Sequence, residues 1–181
     1  MPIRPAQPRD AAEIARIHVR TWQVAYRGQV PDAYLKSLDA EIEERTARWE
    51  RIIASPASRR QHQLLALDGD RIVGFVTFGP SNDESDPEVG EVYAIYVDPG
   101  SWDRGFGREL FAAAVQGLTD AGFRAATLWV LNTNARARPP LLRDGRVGRR
   151  RSDEDGTAWR RGASRGALSI TAAREGSLAL S

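Results

Sequence analysis

Gly90-Glu-Val-Tyr-Ala-Ile-Tyr-Val-Asp-Pro-Gly-Ser-Trp-Asp-Arg-Gly-Phe-Gly-Arg-Glu-Leu-Phe-Ala-Ala-Ala-Val115 carries three successive backbone signals. Val92 to Val97 is a β-branched and aromatic run with little polar interruption, which predicts a strand buried on both faces. Asp98, Pro99 and Gly100 end it, since proline lacks a ladder donor and glycine favours a turn. After Arg104-Gly-Phe-Gly107, the residues Leu110, Phe111, Ala114, Val115 and Leu118 fall on one face of a helix. A strand thus enters a glycine-marked loop that opens a helix. Such a start presents backbone N–H groups and the positive end of the helix dipole to an anion, and glycines let a ligand come close to the chain. Arg104 and Arg108 flank the glycines and add positive charge. A lone Gly-x-Gly is a weak signal by itself, and many such turns bind nothing.

The loop Trp102-Asp-Arg-Gly-Phe-Gly107 resembles the Gln/Arg-x-x-Gly-x-Gly/Ala motif of the GNAT N-acetyltransferases. Gly105 and Gly107 match it; Trp102 stands where Gln or Arg is usual, and Asp103 occupies a position that is often Gly. The resemblance implies an α/β fold of the GNAT type, a mixed central sheet flanked by helices. It also implies acetyl-CoA as acyl donor, with its pyrophosphate over the amides of Arg104, Gly105, Phe106, Gly107 and Arg108. It extends over residues 1 to about 137.

Composition narrows the alternatives. At 181 residues the chain is expected to be one domain with a sizeable core. There is no cysteine for a disulfide, a thiolate metal site or a nucleophile, and two histidines, His18 and His62, do not make a metal site alone. No apolar run reaches membrane-spanning length, and Met-Pro-Ile-Arg-Pro lacks the features of a signal peptide, so a cytoplasmic protein is expected. Basicity is concentrated at the end: residues 138–181 hold ten arginines against five acids, and the first 137 residues hold sixteen basic against nineteen acidic groups.

Before the loop, Ile3 to Ala6 reads as an edge strand. Asp10 with Glu13 predicts a capping box for a helix from about Ala11 to Tyr26, on which His18 reads as a packed side chain. A second helical stretch starts at Pro31, and a third runs from an Asp39 cap to about Ala54. Gln63–Leu67 and Arg71–Phe78 around Asp68-Gly-Asp predict a hairpin. Pro80 to Pro87 reads as an acidic loop. Arg124–Leu131 predicts a fifth strand, parallel to the fourth because a helix separates them.

By the resemblance, a backbone N–H near Tyr96 or Val97 polarises the thioester carbonyl, and Asn134, which follows the fifth strand, contacts the cofactor arm or caps the next helix. Glu91 lies 14 residues before Gly105, the spacing at which one branch of the family places its base. Its competing reading is an exposed residue at the start of a strand. Tyr93 shares strand parity with it.

The family phrase continues Asn-x-x-Ala-x-x-Phe-Tyr, with the Tyr as acid; in register, Pro140 and Leu141 stand there instead. Pro139-Pro140 interrupts a helix, and no periodic apolar pattern follows Arg143. Residues 138–181 therefore read as an aberrant, disordered Arg/Gly-rich tail, with the sixth and seventh strands missing. Pro140 to Val147 can be written CCG CTT CTA CGG GAC GGA CGG GTG; read from the second base with the G of Gly148, it gives Arg-Phe-Tyr-Gly-Thr-Asp-Gly-Trp, as a frameshift produces. The expected function is acetyl transfer from acetyl-CoA to an amine of a small molecule or protein, without a metal. The rival is an acetyl-CoA-binding domain with little turnover. A nucleic-acid role for the tail lacks aromatic interleaving beyond Trp159, and a homodimer is left open.

Overall fold

The computed structural model describes residues 1–55, 61–81, 87–131, 147–150 and 165–171. The first apolar stripe becomes α1 (Ala11–Ala25), with Ile14 and Ile17 wholly buried against Leu65 and Phe75. Two more helices follow, α2 (Asp32–Ser37) and α3 (Ile42–Ala54); Trp49 and Ile53 of α3 join the same core. The chain divides into two units, residues 1–79 with 92–114, and residues 80–91 with 115–181.

The strands β1 (Ile3–Pro5), β2 (His62–Asp68), β3 (Arg71–Pro80) and β4 (Val89–Val97) lie side by side in that order, the first unit holding all of them but Pro80 and the start of β4. β1 and β3 both pair antiparallel with β2, and the β2–β3 ladder closes at Asp68↔Arg71. That leaves a two-residue loop whose first residue, Gly69, takes φ +60°, which glycine adopts without steric cost. The hairpin is the one expected from the Asp-Gly turn. The helix α4 (Phe106–Asp120) begins in this unit.

The capping box is not where Asp10 and Glu13 suggest. A 3-10 turn at Pro8–Asp10 runs directly into α1, so Asp10 already has helical backbone angles and makes no side-chain cap to α1. Its carboxylate turns back instead, accepting from Gln7 N–H at 2.8 Å and from both Arg4 guanidinium nitrogens at 2.7 and 2.9 Å. Asp39 likewise makes no side-chain cap and sits within a 3-10 turn at Leu38–Glu41.

In the second unit β5 (Ala125–Leu131) starts beside the start of β4. Arg124 N–H donates to Glu88 O at 2.9 Å and the Thr127 hydroxyl to Gly90 O at 3.5 Å. The residue numbers rise together, so the two strands run parallel, as expected. Two further strands, β6 (Val147–Arg150) and β7 (Arg165–Thr171), extend this sheet: β7 pairs antiparallel with β5 from Ala125↔Thr171 to Leu131↔Arg165, and β6 with β7. The expectation that the sixth and seventh strands are missing is thereby corrected. The physical reason is that an open strand edge offers backbone donors and acceptors to any extended segment, with or without an apolar period. The remainder of residues 138–181 lies outside the described residues. The sheet is mixed and the architecture α/β, as the sequence suggests.

Candidate functional site

The site grows out of the end of β4. Asp98 N–H continues the pairing with β3 by donating to Val73 O at 2.8 Å, and a 3-10 turn at Pro99–Ser101 follows. The Asp98 carboxylate, 4% exposed, ties this turn down: it accepts from Gly100 N–H at 2.9 Å and from Arg20 of α1 at 2.9 Å. The chain then turns twice through the left-handed region, at Asp103 (φ +62°) and at Gly105 (φ +88°). The first value explains why glycine suits position 103; aspartate is among the few side chains that tolerate it.

Glu109 N–H donates to Gly105 O at 3.1 Å, which opens α4. The amides of Phe106, Gly107 and Arg108 therefore precede the first intrahelical donor and lie at the positive end of a helix of 15 residues. Gly107 faces Val97 across this turn: a Cβ built on it would lie 3.8 Å from Val97 Cγ2. The strand end and the glycine loop, read separately in the sequence, are neighbours.

The two arginines of the loop differ. Arg104 makes a two-point ion pair with Asp68 of the β2–β3 hairpin, at 2.7 and 3.1 Å, and lies over the Phe106 ring at 5.1 Å. The hydrogen bond from Arg104 holds the exposed Asp68 carboxyl below the usual carboxylate range. Arg104 thus braces the loop. Arg108 is exposed, its guanidinium 3.9 Å from the Glu109 carboxylate, and is the better placed to meet an anion at the helix start.

Tyr96 belongs to an aromatic group that sequence spacing did not assemble. Its hydroxyl accepts from the Trp22 indole N–H at 3.0 Å, and its ring lies 4.6 Å from His18 and 5.4 Å from Phe75. His18 is packed, as expected. Burial, reinforced by Arg45 and Arg48, pushes its pKa down to about 4, and its Nδ1 accepts no hydrogen bond. Glu91, on β4, is only 7% exposed, so the reading of an exposed residue at a strand start does not hold. Tyr93 is half-buried on the same strand. Asn134 lies outside the described residues. Thr21 and Trp102, which both bond the Val97 carbonyl, were not singled out as site residues; the one signal in the sequence was Trp102 at a position where Gln or Arg is usual. Among the described residues no group of three or more His, Cys, Asp or Glu could hold a metal ion, and no helix is long and apolar enough to cross a membrane.

Residues 12–140 match the Acetyltransferase (GNAT) family. The chain belongs to this family. An uncharacterised N-acetyltransferase, YuaI of Bacillus subtilis strain 168, is 31% identical over 135 residues, covering 73% of this chain and 72% of its own. The mycothiol acetyltransferase of Rhodococcus erythropolis is 33% identical over 136 residues, 72% of this chain but 40% of that longer protein. Among solved structures, the PaiA N-acetyltransferase of Thermoplasma acidophilum in complex with coenzyme A superposes with a TM-score of 0.74, at 16% identity over 94% of this chain and 98% of that one. YncA of Salmonella typhimurium with its cofactor acetyl-CoA gives 0.68, at 17% identity over 94% and 92%. These two likenesses concern the fold alone. GNAT membership by sequence stops at residue 140, next to Pro139-Pro140, whereas the structural likeness covers nearly the whole chain.

Proposed function

We propose that this GNAT protein binds acetyl-CoA at the β4–α4 junction and transfers its acetyl group to an amine of a small molecule or protein. The observation that carries the reading is the left-handed Gly105 that turns the chain into α4, with the amides of Phe106, Gly107 and Arg108 ahead of the first intrahelical donor and Val97 alongside Gly107. Those amides and Arg108 suit a pyrophosphate. A backbone N–H near Tyr96 or Val97 would then polarise the thioester carbonyl. The amine nitrogen attacks the thioester carbon, the C–N bond forms, the C–S bond breaks, and the sulfur leaves as a thiolate that takes up a proton. Glu91 is our candidate to receive the proton released by the amine, supported by its burial in β4. Asn134 is our candidate for a contact with the pantetheine arm.

The test is calorimetry with acetyl-CoA and CoA, followed by thiol release in the presence of amines. Binding of both is expected, and Gly105→Val should abolish it, because φ +88° forbids a β-branched residue and a side chain there crowds the phosphates. Equal binding by parent and variant would remove the loop from the site. If thiol is released, Glu91→Gln should slow it most at low pH, where the amine is protonated; an unchanged pH profile would take Glu91 out of the mechanism. The second reading, binding without turnover, is favoured by Leu141 in the place of the acid tyrosine. Its signature is tight acetyl-CoA binding with no thiol release for any amine.

A further inference from the structure

The Val97 carbonyl, at the last residue of β4, accepts two side-chain hydrogen bonds that approach from different parts of the fold. The Trp102 indole N–H donates at 2.7 Å from the loop ahead of α4, and the Thr21 hydroxyl at 3.0 Å from α1. The other side of the same peptide is held as firmly, with Asp98 N–H on Val73 O at 2.8 Å, and the Asp98 carboxylate accepts from Arg20. Arg20 and Thr21 are adjacent in α1, so one turn of that helix grips both residues at the strand end. Gly74, next to Val73 in β3, lies so close that a Cβ would sit 2.8 Å from Tyr96 O and 3.2 Å from Val97 Cγ2. The peptides on both sides of Val97 are therefore fixed from α1, from β3 and from the loop.

Trp102 is the last residue before the left-handed pair Asp103 and Gly105. Its indole bond closes the chain between Val97 and the glycine loop into a short ring, with Ser101 buried inside and receiving a hydrogen bond from Arg71 at 3.2 Å. The place where the loop amides start is thus set directly from the strand end. We infer that Trp102, with Thr21, is a positioning residue that fixes the distance between the phosphate-holding amides and the β4 backbone that polarises the thioester. This rests on the proposed function. An extended donor such as acetyl-CoA has to satisfy both ends at once, whereas CoA, which has no acetyl carbonyl, uses only the first.

The experiment compares the affinities of acetyl-CoA and CoA for the full chain, the variants Trp102→Phe and Thr21→Val, and the conservative variant Thr21→Ser. The position of the thioester carbonyl band is read by infrared spectroscopy with isotope-labelled acetyl-CoA. Trp102→Phe keeps an aromatic ring and loses the N–H; the preference for acetyl-CoA over CoA should fall roughly two- to tenfold, the worth of one neutral hydrogen bond. The carbonyl band should move towards its position in water. Thr21→Val should act in the same direction and Thr21→Ser should restore the parent ratio. If Trp102→Phe does not fold, the Thr21 pair decides. Equal losses for both ligands, or an unchanged ratio and band, would reduce the two side chains to packing and overturn the inference. If the parent binds neither ligand, the inference fails together with the proposed function; if it binds both and the ratio stays fixed in every variant, only the inference fails.

Discussion

Single atoms decide much at Gly74 and His18. Gly74 leaves no room for a methyl group, because its surroundings are the backbone oxygen of Tyr96 and Leu110 Cδ1 at 2.8 and 3.1 Å from the site of a Cβ. Gly74→Ala should therefore push β3 from β4 and cost about 1–3 kcal/mol, as overpacking does; urea unfolding with an unchanged m-value checks it. His18 has a pKa of about 4 in the fold against about 6.5 when unfolded. A group depressed in this sense stabilises fully above the unfolded value, and the contribution drains away as pH falls towards the folded one. Stability should thus fall by up to about 1.4 kcal/mol per pH unit between roughly pH 6.5 and 4. His18→Phe should flatten that slope, and urea midpoints at pH 7 and pH 5 for both proteins would show it.

At the scale of elements, β1 depends on a tether as well as on its ladder. Three residues pair with β2, and Arg4 of β1 reaches the buried Asp10 ahead of α1 with two short bonds. The hydrogen bond from Arg4 holds the Asp10 carboxyl below its ordinary value. By the same linkage its contribution is present above the unfolded carboxylate value and is lost as pH falls through the folded one. Asp10→Asn should cost about 1–3 kcal/mol at neutral pH, since Arg4 and Gln7 N–H both lose an ionised acceptor. The difference from the parent should close below about pH 4. Because His18 acts above that range and Asp10 below it, a stability profile from pH 8 to 3 separates the two.

For the whole molecule, the segment that departs from the family follows residue 140, where the family match ends. The strands β6 and β7 show that segments beyond that point complete the sheet on β5. Their presence does not restore the Phe-Tyr phrase that Pro140 and Leu141 replace. The DNA encoding residues 140–147 should spell Arg-Phe-Tyr-Gly-Thr-Asp-Gly-Trp from its second base, and a chain expressed in that frame should gain thiol release over this one. Codons that do not spell it would dispose of the frameshift. A restored frame without gain in turnover would place the missing chemistry elsewhere.

What neighbours along the chain could determine, they did. The strand Val92–Val97, the turn at Asp98-Pro99-Gly100, the glycine loop and the stripe Leu110, Phe111, Ala114 and Leu118 rest on periods and turn chemistry spanning a few residues, and each stands in the structure, although of the strand run only Val92 is buried and Tyr93 to Val97 are half-buried. The hairpin at Gly69 was legible for the same reason. The choice among partners was not. Asp10 had Glu13 three residues ahead and took Arg4 instead, because the turn before α1 aims its carboxylate backwards. Thr21 and Val97, 76 positions apart, meet only once α1 packs against the sheet. Whether a tail without apolar period can still form strands depends on the open edge of β5, which exists only after the rest of the sheet has folded.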